Sequence, residues 1–323
     1  MSEQQAPLVS VRDLRKHYPL NGGLLRKGVA VKAVDGVSFD IQPGETFGLV
    51  GESGCGKSTL GRAILRLFDI TSGEIHFAGQ AIAHAREREL KPLRKQMQAI
   101  FQDPYSSLNP GMTVRQLVAE PMQIHGYSRE EQRERTETLL YKVGLKHEHL
   151  ERFPHEFSGG QRQRISIARA LSVHPEFVLC DEPLSALDVS VQAQVVNILQ
   201  DLQQELGLTY LFIAHDLSMV RHISSRIGVM YLGKLVEVAP ANELYQRPAH
   251  PYTRALLAAV PQPDPRIRNL EDATLRGDIP GPTSALPGCK FCSRCPHAMP
   301  VCQTQEPAMQ EIAPGHFAAC WLF

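Results

Sequence analysis

The sequence predicts an α/β fold built on a parallel β-sheet. Two apolar runs that end in polar residues, EFVLCDE at 176–182 and LTYLFIAHD at 208–216, are typical of buried parallel strands with chemical groups at their carboxyl ends. The glycine-rich stretch GESGCGKST at 51–59 follows a predicted strand, TFGLV, and precedes a predicted helix. A strand, a glycine-rich loop and a helix in this order favour an α/β protein that binds phosphates.

The other predicted elements are separated by turn residues. LVSVRDL and VKAVDGVSFD alternate apolar and polar residues in the manner of strands near the N-terminus. Residues 113–150 are rich in Glu, Gln, Arg and Leu, which predicts a mainly helical insertion. The segment RIGVMYLGKLVEVAP at 226–240 predicts a hairpin that turns at Gly233 and Lys234. From Pro240 onward proline becomes frequent, and this shift in composition predicts a separate extension.

Composition narrows the class of protein. The 323 residues contain 34 Lys plus Arg and 34 Asp plus Glu, so no net charge attracts the chain to nucleic acid or to acidic lipid. The N-terminal segment lacks a signal-peptide pattern, and the longest apolar stretch, at 208–214, is too short to span a bilayer. We therefore expect a soluble cytosolic protein, in which clustered cysteines bind metals more often than they form disulfides.

The stretch at 51–59 fits the phosphate-binding loop motif G-x-x-x-x-G-K-[ST]. Its glycines allow backbone N–H groups to point at phosphate oxygens, whereas Lys57 reaches the β- and γ-phosphates and Ser58 binds Mg²⁺. The alternative, a flexible glycine turn, does not explain the lysine, the hydroxyls and the flanking elements. The predicted phosphate-binding residues are Gly51, Ser53, Gly54, Gly56, Lys57, Ser58 and Thr59.

Two further motifs complete a nucleotide site. The apolar strand at 176–182 ends in Asp181 and Glu182, which would lie near the magnesium ion and near an attacking water. The stretch SGGQ at 158–161 offers a hydroxyl and bare backbone N–H groups at a predicted helix start, which makes a second anion site. One phosphate loop does not require two such sites. We therefore expect SGGQ to bind the nucleotide that another subunit holds.

Together, these motifs resemble those of the ATP-binding subunits of ABC transporters, over residues 8 to about 240. Gln102 in FQDP matches the Q-loop, SALD at 185–188 matches the D-loop, and His215 in AHD matches the switch histidine. Phe157 replaces the leucine that usually precedes SGGQ.

The resemblance implies a P-loop NTPase fold with a RecA-like core, an antiparallel β subdomain and a helical subdomain at about 103–165. It also implies a nucleotide-binding domain at 1–240 and a cysteine-rich C-terminal extension at 241–323. Two such domains would close head to tail, so that Ser158, Gly159, Gly160 and Gln161 of one act on the ATP of the other.

The same resemblance assigns roles to single residues. Tyr18 would stack on adenine, Glu182 would polarise the attacking water, and His215 would contact the γ-phosphate. Gln102 would bind Mg²⁺ together with Ser58 and connect the site to a membrane partner.

AHPYTRALLAAVP at 249–261 and the following GPTSALPGC resemble the C-terminal region of the dipeptide/oligopeptide branch of ABC importers, closest to the second ATPase subunit of dipeptide permeases. The resemblance implies an ATP hydrolase that powers peptide import from the cytoplasmic face of the inner membrane. Its partners would be a different second ATPase, two transmembrane permease subunits and, indirectly, an extracytoplasmic peptide-binding protein. Alternatives are an importer of nickel or glutathione, a non-transport ABC ATPase, and a subunit that binds ATP without hydrolysing it.

Five of the seven cysteines lie in the last 35 residues, three of them in CKFCSRC at 289–295. Four thiolates can bind zinc or an iron–sulfur cluster, and the continuous C-x₂-C-x₂-C-P spacing favours [4Fe–4S] over Zn²⁺. The branch resemblance implies the ligand set Cys289, Cys295, Cys302 and Cys320, with Cys292 as the spare cysteine.

Two histidines and a metal-free state are the alternatives at this cluster. His297 and His316 are alternative ligands, although a surface position or a supporting contact suits both better. The remaining alternative is a reduced, metal-free tail in which the cysteines pack as small apolar residues. We expect a metal centre that is structural, because ATP-driven transport requires no redox step.

Overall fold

The computed structural model of the protein describes residues 6–20, 30–259, 280–281 and 287–323. Within them the chain forms two compact units. The first consists chiefly of Ile41–Thr46 and His84–Ala214, and the second of the described parts of Val9–Asp40, Phe47–Ala83 and His215–Phe323.

The described strands are β1 (Val9–Pro19), β2 (Ala30–Ile41), β3 (Thr46–Val50), β4 (Ser72–Phe77), β5 (Gln80–Ala81), β6 (Met97–Ile100), β7 (Phe177–Asp181), β8 (Thr209–Ile213), β9 (Arg226–Tyr231), β10 (Lys234–Pro240), β11 (Gln310–Ala313) and β12 (His316–Ala318). The described α-helices are α1 (Lys57–Ile64), α2 (Glu87–Leu93), α3 (Pro104–Ser107), α4 (Val114–Ile124), α5 (Arg129–Lys142), α6 (Gly159–Leu171), α7 (Val189–Leu206), α8 (Leu217–Ile223), α9 (Ala241–Gln246), α10 (Pro251–Ala258) and α11 (Pro300–Thr304). Single 3₁₀ turns lie at His147–His149, Pro154–Glu156 and Cys292–Arg294.

In the first unit, β6, β7 and β8 are parallel neighbours. Every residue of β7 and of β8 is buried, as their uninterrupted apolar sequences predict for parallel strands covered on both faces. Ile100 pairs with Cys180, and Asp181 pairs with Ile213. The carboxyl ends of these strands therefore meet at one edge, which is where the predicted polar residues begin.

The second unit contains two groups of strands. One is an antiparallel sheet in the order β2-β1-β4-β5. In the other, β3 runs parallel to β9, and β10, β12 and β11 continue from β9 by antiparallel pairing. The C-terminal hairpin β11–β12 is thus hydrogen-bonded to β10, which connects it through β9 to β3, the strand that leads into the glycine-rich loop.

The predicted position of the β9–β10 turn was wrong by one residue. Lys234 pairs with Tyr231, so the two turn residues are Leu232 and Gly233 rather than Gly233 and Lys234. Both have positive φ, 42° and 81°. Two consecutive positive φ angles suit the right-handed twist of the flanking strands, which explains why the turn takes this register.

The two helices of the segment 113–150 each begin at a residue that caps them. Ser128 begins α5: its Oγ accepts a hydrogen bond from the Glu131 N–H, and the Glu131 carboxylate accepts one from the Ser128 N–H. The predicted helical insertion at 113–150 is confirmed as α4 and α5 with a short 3₁₀ turn. Among the described helices, none has both the length and the apolar character needed to cross a membrane.

Candidate nucleotide site and cysteine cluster

The glycine-rich loop runs from the end of β3 to the start of α1, and its glycines are required for different reasons. A Cβ at Gly51 would lie 2.1 Å from the Met230 carbonyl oxygen, and one at Gly56 would lie 2.0 Å from that of Ala33. Packing alone therefore demands glycine at both positions. Gly54 is exposed with φ of 77°, and a Cβ there would meet no atom within 4 Å. This part of the loop leaves open space beside its backbone, as a phosphate cradle needs.

Lys57 is a buried cation at the first position of α1. Its Nζ donates hydrogen bonds to the carbonyl oxygens of Gly51, at 2.8 Å, and Glu52, at 3.1 Å. The ammonium group is thus held inside the turn of the loop by two neutral acceptors. A polyphosphate that enters the loop would find a desolvated positive charge there, together with the N-terminal backbone N–H groups of α1. Ser58 and Thr59 follow on the same helix and are half-buried.

Tyr18 lies near the end of β1, and 39% of its surface is exposed. Lys16 Nζ lies 4.8 Å from the centre of its ring, and Phe68 contacts it edge-on. An exposed aromatic ring can stack on a purine, and that role for Tyr18 stays a prediction. The adjoining His17 Nε2 lies 3.0 Å from a carboxylate oxygen of Asp35.

The acidic strand end lies in the first unit. Asp181 closes β7 and is 1% exposed, and half-buried Glu182 follows it with φ of 50°. A glutamate at positive φ is uncommon and costs backbone energy, and such residues cluster at functional sites. The N–H of Glu182 donates to the Ile213 carbonyl at 3.0 Å, which fixes this backbone. Exposed Gln102 follows the neighbouring strand β6, so the structure brings Gln102 and Glu182 to the same edge.

SGGQ forms the start of α6. Ser158 is the N-cap: its Oγ accepts a hydrogen bond from the Gln161 N–H at 3.3 Å, and the Gln161 side chain accepts one from the Ser158 N–H. The Ser158 hydroxyl keeps its own hydrogen for a ligand. A Cβ at Gly160 would lie 2.3 Å from a methyl of Val191 on α7, so glycine is required there by packing. His215 is exposed directly after β8 in the chain.

Three residues form contacts at the glycine-rich loop that the sequence motifs do not predict: Glu52, Tyr252 and Arg294. The N–H of Glu52 donates to the Tyr252 hydroxyl at 2.9 Å, and the Glu52 carboxylate accepts two hydrogen bonds from Arg294, at 2.8 and 3.0 Å. Tyr252 belongs to the HPYT stretch and Arg294 to CKFCSRC. Neither their spacing nor their residue types indicates a partner in a loop some 200 positions earlier.

The HPYT stretch also caps a helix, as its sequence suggests. His250 is the N-cap of α10, and its Nδ1 accepts a hydrogen bond from the Tyr252 N–H at 3.1 Å. Burial, with a smaller contribution from the charge of Arg254, lowers the pKa of His250 to about 4, so the ring is neutral at pH 7. The buried Glu237 carboxylate accepts the N–H groups of Ala249 and His250, both at 2.8 Å.

The five C-terminal cysteines are all free thiols. The N–H of Cys289 donates to the Cys302 carbonyl at 2.8 Å, which joins the start of the stretch 289–295 to the helix α11. Burial, together with the nearby thiols of Cys302, Cys320 and Cys295, raises the pKa of Cys289 to about 11, although a hydrogen bond from the Phe291 backbone opposes the rise. Cys292 takes part in the same electrostatic contacts, with Cys295 and Cys302, so these contacts do not single out the predicted ligand set. Among the residues described, however, no group of three or more His, Cys, Asp or Glu side chains is arranged to hold a metal ion.

Backbone donors already point at two of these sulfurs. The N–H of His297 lies 3.4 Å from Cys295 Sγ, and the N–H of Met299 lies 3.4 Å from Cys302 Sγ. His297 itself is exposed, and the buried His316 ring pairs with Glu237 at 2.7 Å. His316 is thus committed to a carboxylate.

Comparisons with known proteins agree with these features. Residues 34–185 match the ABC transporter family, and residues 236–302 match the oligopeptide/dipeptide transporter C-terminal region. The chain is 52% identical to the oligopeptide transport ATP-binding protein AppF of Bacillus subtilis, over 99% of this chain and 98% of the relative. It is also 52% identical to a putative peptide import ATP-binding protein of Brucella ovis, over 98% of each chain.

Solved structures show the same architecture. The dimeric post-hydrolysis state of the ATP-binding cassette MJ0796, bound to ADP and Pi, is similar with a TM-score of 0.65 and 28% identity, over 72% of this chain and 98% of that one. One family explains both the motifs of the nucleotide site and the relatives that match nearly the whole chain. The chain belongs to the ATP-binding proteins of ABC transporters, and it carries the C-terminal region of their oligopeptide/dipeptide branch.

Proposed function

We propose that this chain is the ATP-hydrolysing subunit that drives import of dipeptides or short oligopeptides through a membrane ABC transporter. The observation that carries the proposal is the combination of a complete set of ATP-site motifs with the oligopeptide/dipeptide C-terminal region in one chain. Full-length relatives with peptide-import names support the substrate class. Nickel and glutathione remain the alternative solutes, because the imported molecule need not touch this subunit.

In the proposed reaction the chain's own residues bind and orient ATP. The glycine-rich loop and Lys57 hold the phosphates, Tyr18 stacks on adenine, and Glu182 orients and polarises the attacking water. His215 contacts the γ-phosphate. Bound Mg²⁺, held by Ser58 and Gln102 with Asp181 nearby, would neutralise charge on the β- and γ-phosphates.

We propose that the active site is completed by a second, different ATPase subunit. The free Ser158 hydroxyl and the N–H groups of Gly159 and Gly160 at the start of α6 would act on the partner's ATP. Two permease subunits would provide the membrane path near exposed Gln102. An extracytoplasmic binding protein would deliver the peptide. The ATPase would act from the opposite side, at the cytoplasmic face of the inner membrane.

We further propose that the C-terminal cysteines form a structural metal centre with Cys289, Cys295, Cys302 and Cys320 as ligands. The donor set has the chemistry that a soft metal needs, since all four cysteines are free thiols and backbone N–H groups lie 3.4 Å from the sulfurs of Cys295 and Cys302. The described side chains do not form a closed ligand shell, so the metal would have to draw the thiolates together. A [4Fe–4S] cluster is preferred to Zn²⁺ because of the continuous cysteine spacing.

The test of the transport function is reconstitution of the ATPase with its co-purifying membrane subunits in proteoliposomes. We expect ATP-dependent uptake of a labelled dipeptide, and ATP hydrolysis stimulated by the cognate binding protein loaded with peptide. Uptake of nickel or glutathione without peptide uptake would replace the substrate class. Absence of hydrolysis in the complete assembly would overturn the ATPase role.

A further inference from the structure

The cysteine-rich stretch 289–295 contains two basic side chains, Lys290 and Arg294. Both form hydrogen bonds with residues in or near the glycine-rich loop. Lys290 Nζ donates to an Asp35 carboxylate oxygen and to the Leu232 carbonyl, both at 2.9 Å. Burial opposes ionisation of Asp35, but the hydrogen bond and charge of Lys290 lower its pKa to about 2. Arg294 contacts Glu52 inside the glycine-rich loop. The cysteine-rich stretch is therefore in direct contact with the elements that bind ATP.

The Arg294–Glu52 contact has the geometry of a strong ion pair. Both guanidinium NH groups donate to separate carboxylate oxygens, at 2.8 and 3.0 Å. The Arg294 side chain is 5% exposed and that of Glu52 is 22% exposed, so solvent screens the pair only partly. A wall of buried aromatic rings supports the arginine: Tyr231 lies under the guanidinium, and Phe291 and Tyr252 pack against Tyr231.

Glu52 is also hydrogen-bonded to the phosphate-binding lysine. Its carbonyl accepts the Lys57 ammonium at 3.1 Å, and its N–H donates to the Tyr252 hydroxyl. One residue thus contacts Lys57 through its backbone and Arg294 through its side chain. Without Arg294, the Glu52 carboxylate would be an uncompensated negative charge at a loop whose ligand carries several negative charges.

We propose that Arg294 is a positioning residue for ATP: it neutralises and fixes Glu52, so that the glycine-rich loop presents a net positive site to the phosphates. The inference rests on the proposed ATPase function of this loop. It assigns the cysteine-rich stretch a role at the nucleotide site besides folding the C-terminal region. ATP affinity then depends on a residue more than 200 positions away from the loop.

Removal of the Arg294 charge should weaken ATP binding, and removal of the Glu52 charge as well should restore it. Arg294→Gln leaves Glu52 unpaired and should weaken binding of the fluorescent analogue MANT-ATP about tenfold, ~1.4 kcal/mol. The double variant Glu52→Gln/Arg294→Gln removes both charges and should return the Kd to within about threefold of wild type, ~0.6 kcal/mol. Arg294→Lys keeps the charge and should bind better than Arg294→Gln.

The experiment measures the MANT-ATP Kd of the purified full-length chain, together with the Tm of every variant. The matched control is Glu306→Gln, which breaks a C-terminal ion pair with Lys234 that includes no residue of the glycine-rich loop, and it should leave the Kd unchanged. Raising the salt concentration should shrink the difference between Arg294→Gln and wild type, because screening weakens the repulsion from Glu52.

Three results would overturn the inference. A double variant that binds as weakly as Arg294→Gln would show that the pair only supports folding. An unchanged Kd in Arg294→Gln, or an equal loss in Glu306→Gln, would remove the role of Arg294. Failure of the wild-type chain to bind MANT-ATP would instead contradict the proposed function, so the two failures are distinguishable.

Discussion

The buried carboxylate of Glu237 supports a prediction about how the C-terminal region is attached. It is 0% exposed. It accepts hydrogen bonds from the N–H groups of Ala249 and His250, both at 2.8 Å, and forms a third hydrogen bond with His316 Nε2 at 2.7 Å. These contacts join β10 to the start of α10 and to the hairpin β11–β12. One side chain therefore links three segments that are far apart in sequence.

Glu237→Gln keeps the shape of the side chain but replaces one acceptor oxygen with an NH₂ group. That group would face a buried N–H or the His316 ring, so at least one buried donor loses its partner. An unsatisfied buried group costs ~1–3 kcal/mol, and breaking a buried pair by removing one partner costs ~3–5 kcal/mol. The upper end of the first range and the lower end of the second are both about 3 kcal/mol. We therefore expect a loss of local stability of about 3 kcal/mol.

The assay is amide hydrogen exchange of the full-length chain. A loss of about 3 kcal/mol speeds exchange from the locally opened state about a hundredfold. We expect this at the amides of Ala249 and His250 and in β12, with little change in β7. The matched control is Glu311→Gln, an exposed carboxylate on β11, which should stay within about 0.5 kcal/mol of wild type. Equal exchange in both variants would refute the reasoning.

Glu182→Gln should still bind ATP, whereas hydrolysis should fall by about 10²–10⁴-fold because the water loses its polarising charge; near-normal turnover in the assembled transporter would contradict the role. Ser158→Arg should leave the MANT-ATP Kd of the same chain near that of wild type but abolish hydrolysis at the partner's site, and full activity from a strictly monomeric preparation would count against the shared site. Cys302→Ser should remove the brown colour, iron and acid-labile sulfide of anaerobically purified protein while Cys292→Ser retains them; stoichiometric zinc would replace the cluster, and metal-free wild type would end the proposal. The pKa of His250 in the folded chain, about 4, is lower than the ordinary value of 6.5. The unfolded state therefore binds one more proton than the folded state as pH falls, and Tm should fall from pH 6.5 towards pH 4. His250→Asn should flatten this dependence of Tm on pH, and an unchanged slope in that variant would contradict the role of His250.

Much of the ATP site could be predicted from the sequence because its residues lie in short segments with strong local constraints. The motif is visible without a partner segment because its glycines, Lys57 and the two hydroxyl residues lie within nine consecutive positions. The collisions that require glycine at 51 and 56, by contrast, involve the carbonyl oxygens of distant Met230 and Ala33. The strands β7 and β8 are continuous apolar runs because both faces are covered. The capping pair at Ser158 and Gln161 lies within one helical turn, and its residue types reveal it.

Other contacts depend on which distant segments fold together, and only the tertiary structure decides them. Arg294 and Glu52 are separated by 242 positions, and Glu237 and His316 by 79. Each of these charged residues, read alone, is typical of a solvated surface. Burial makes them pair, because a charge removed from water needs a partner within hydrogen-bonding distance. Local pattern determined the chemistry of the nucleotide site, whereas long-range packing determined that the cysteine-rich stretch contacts it.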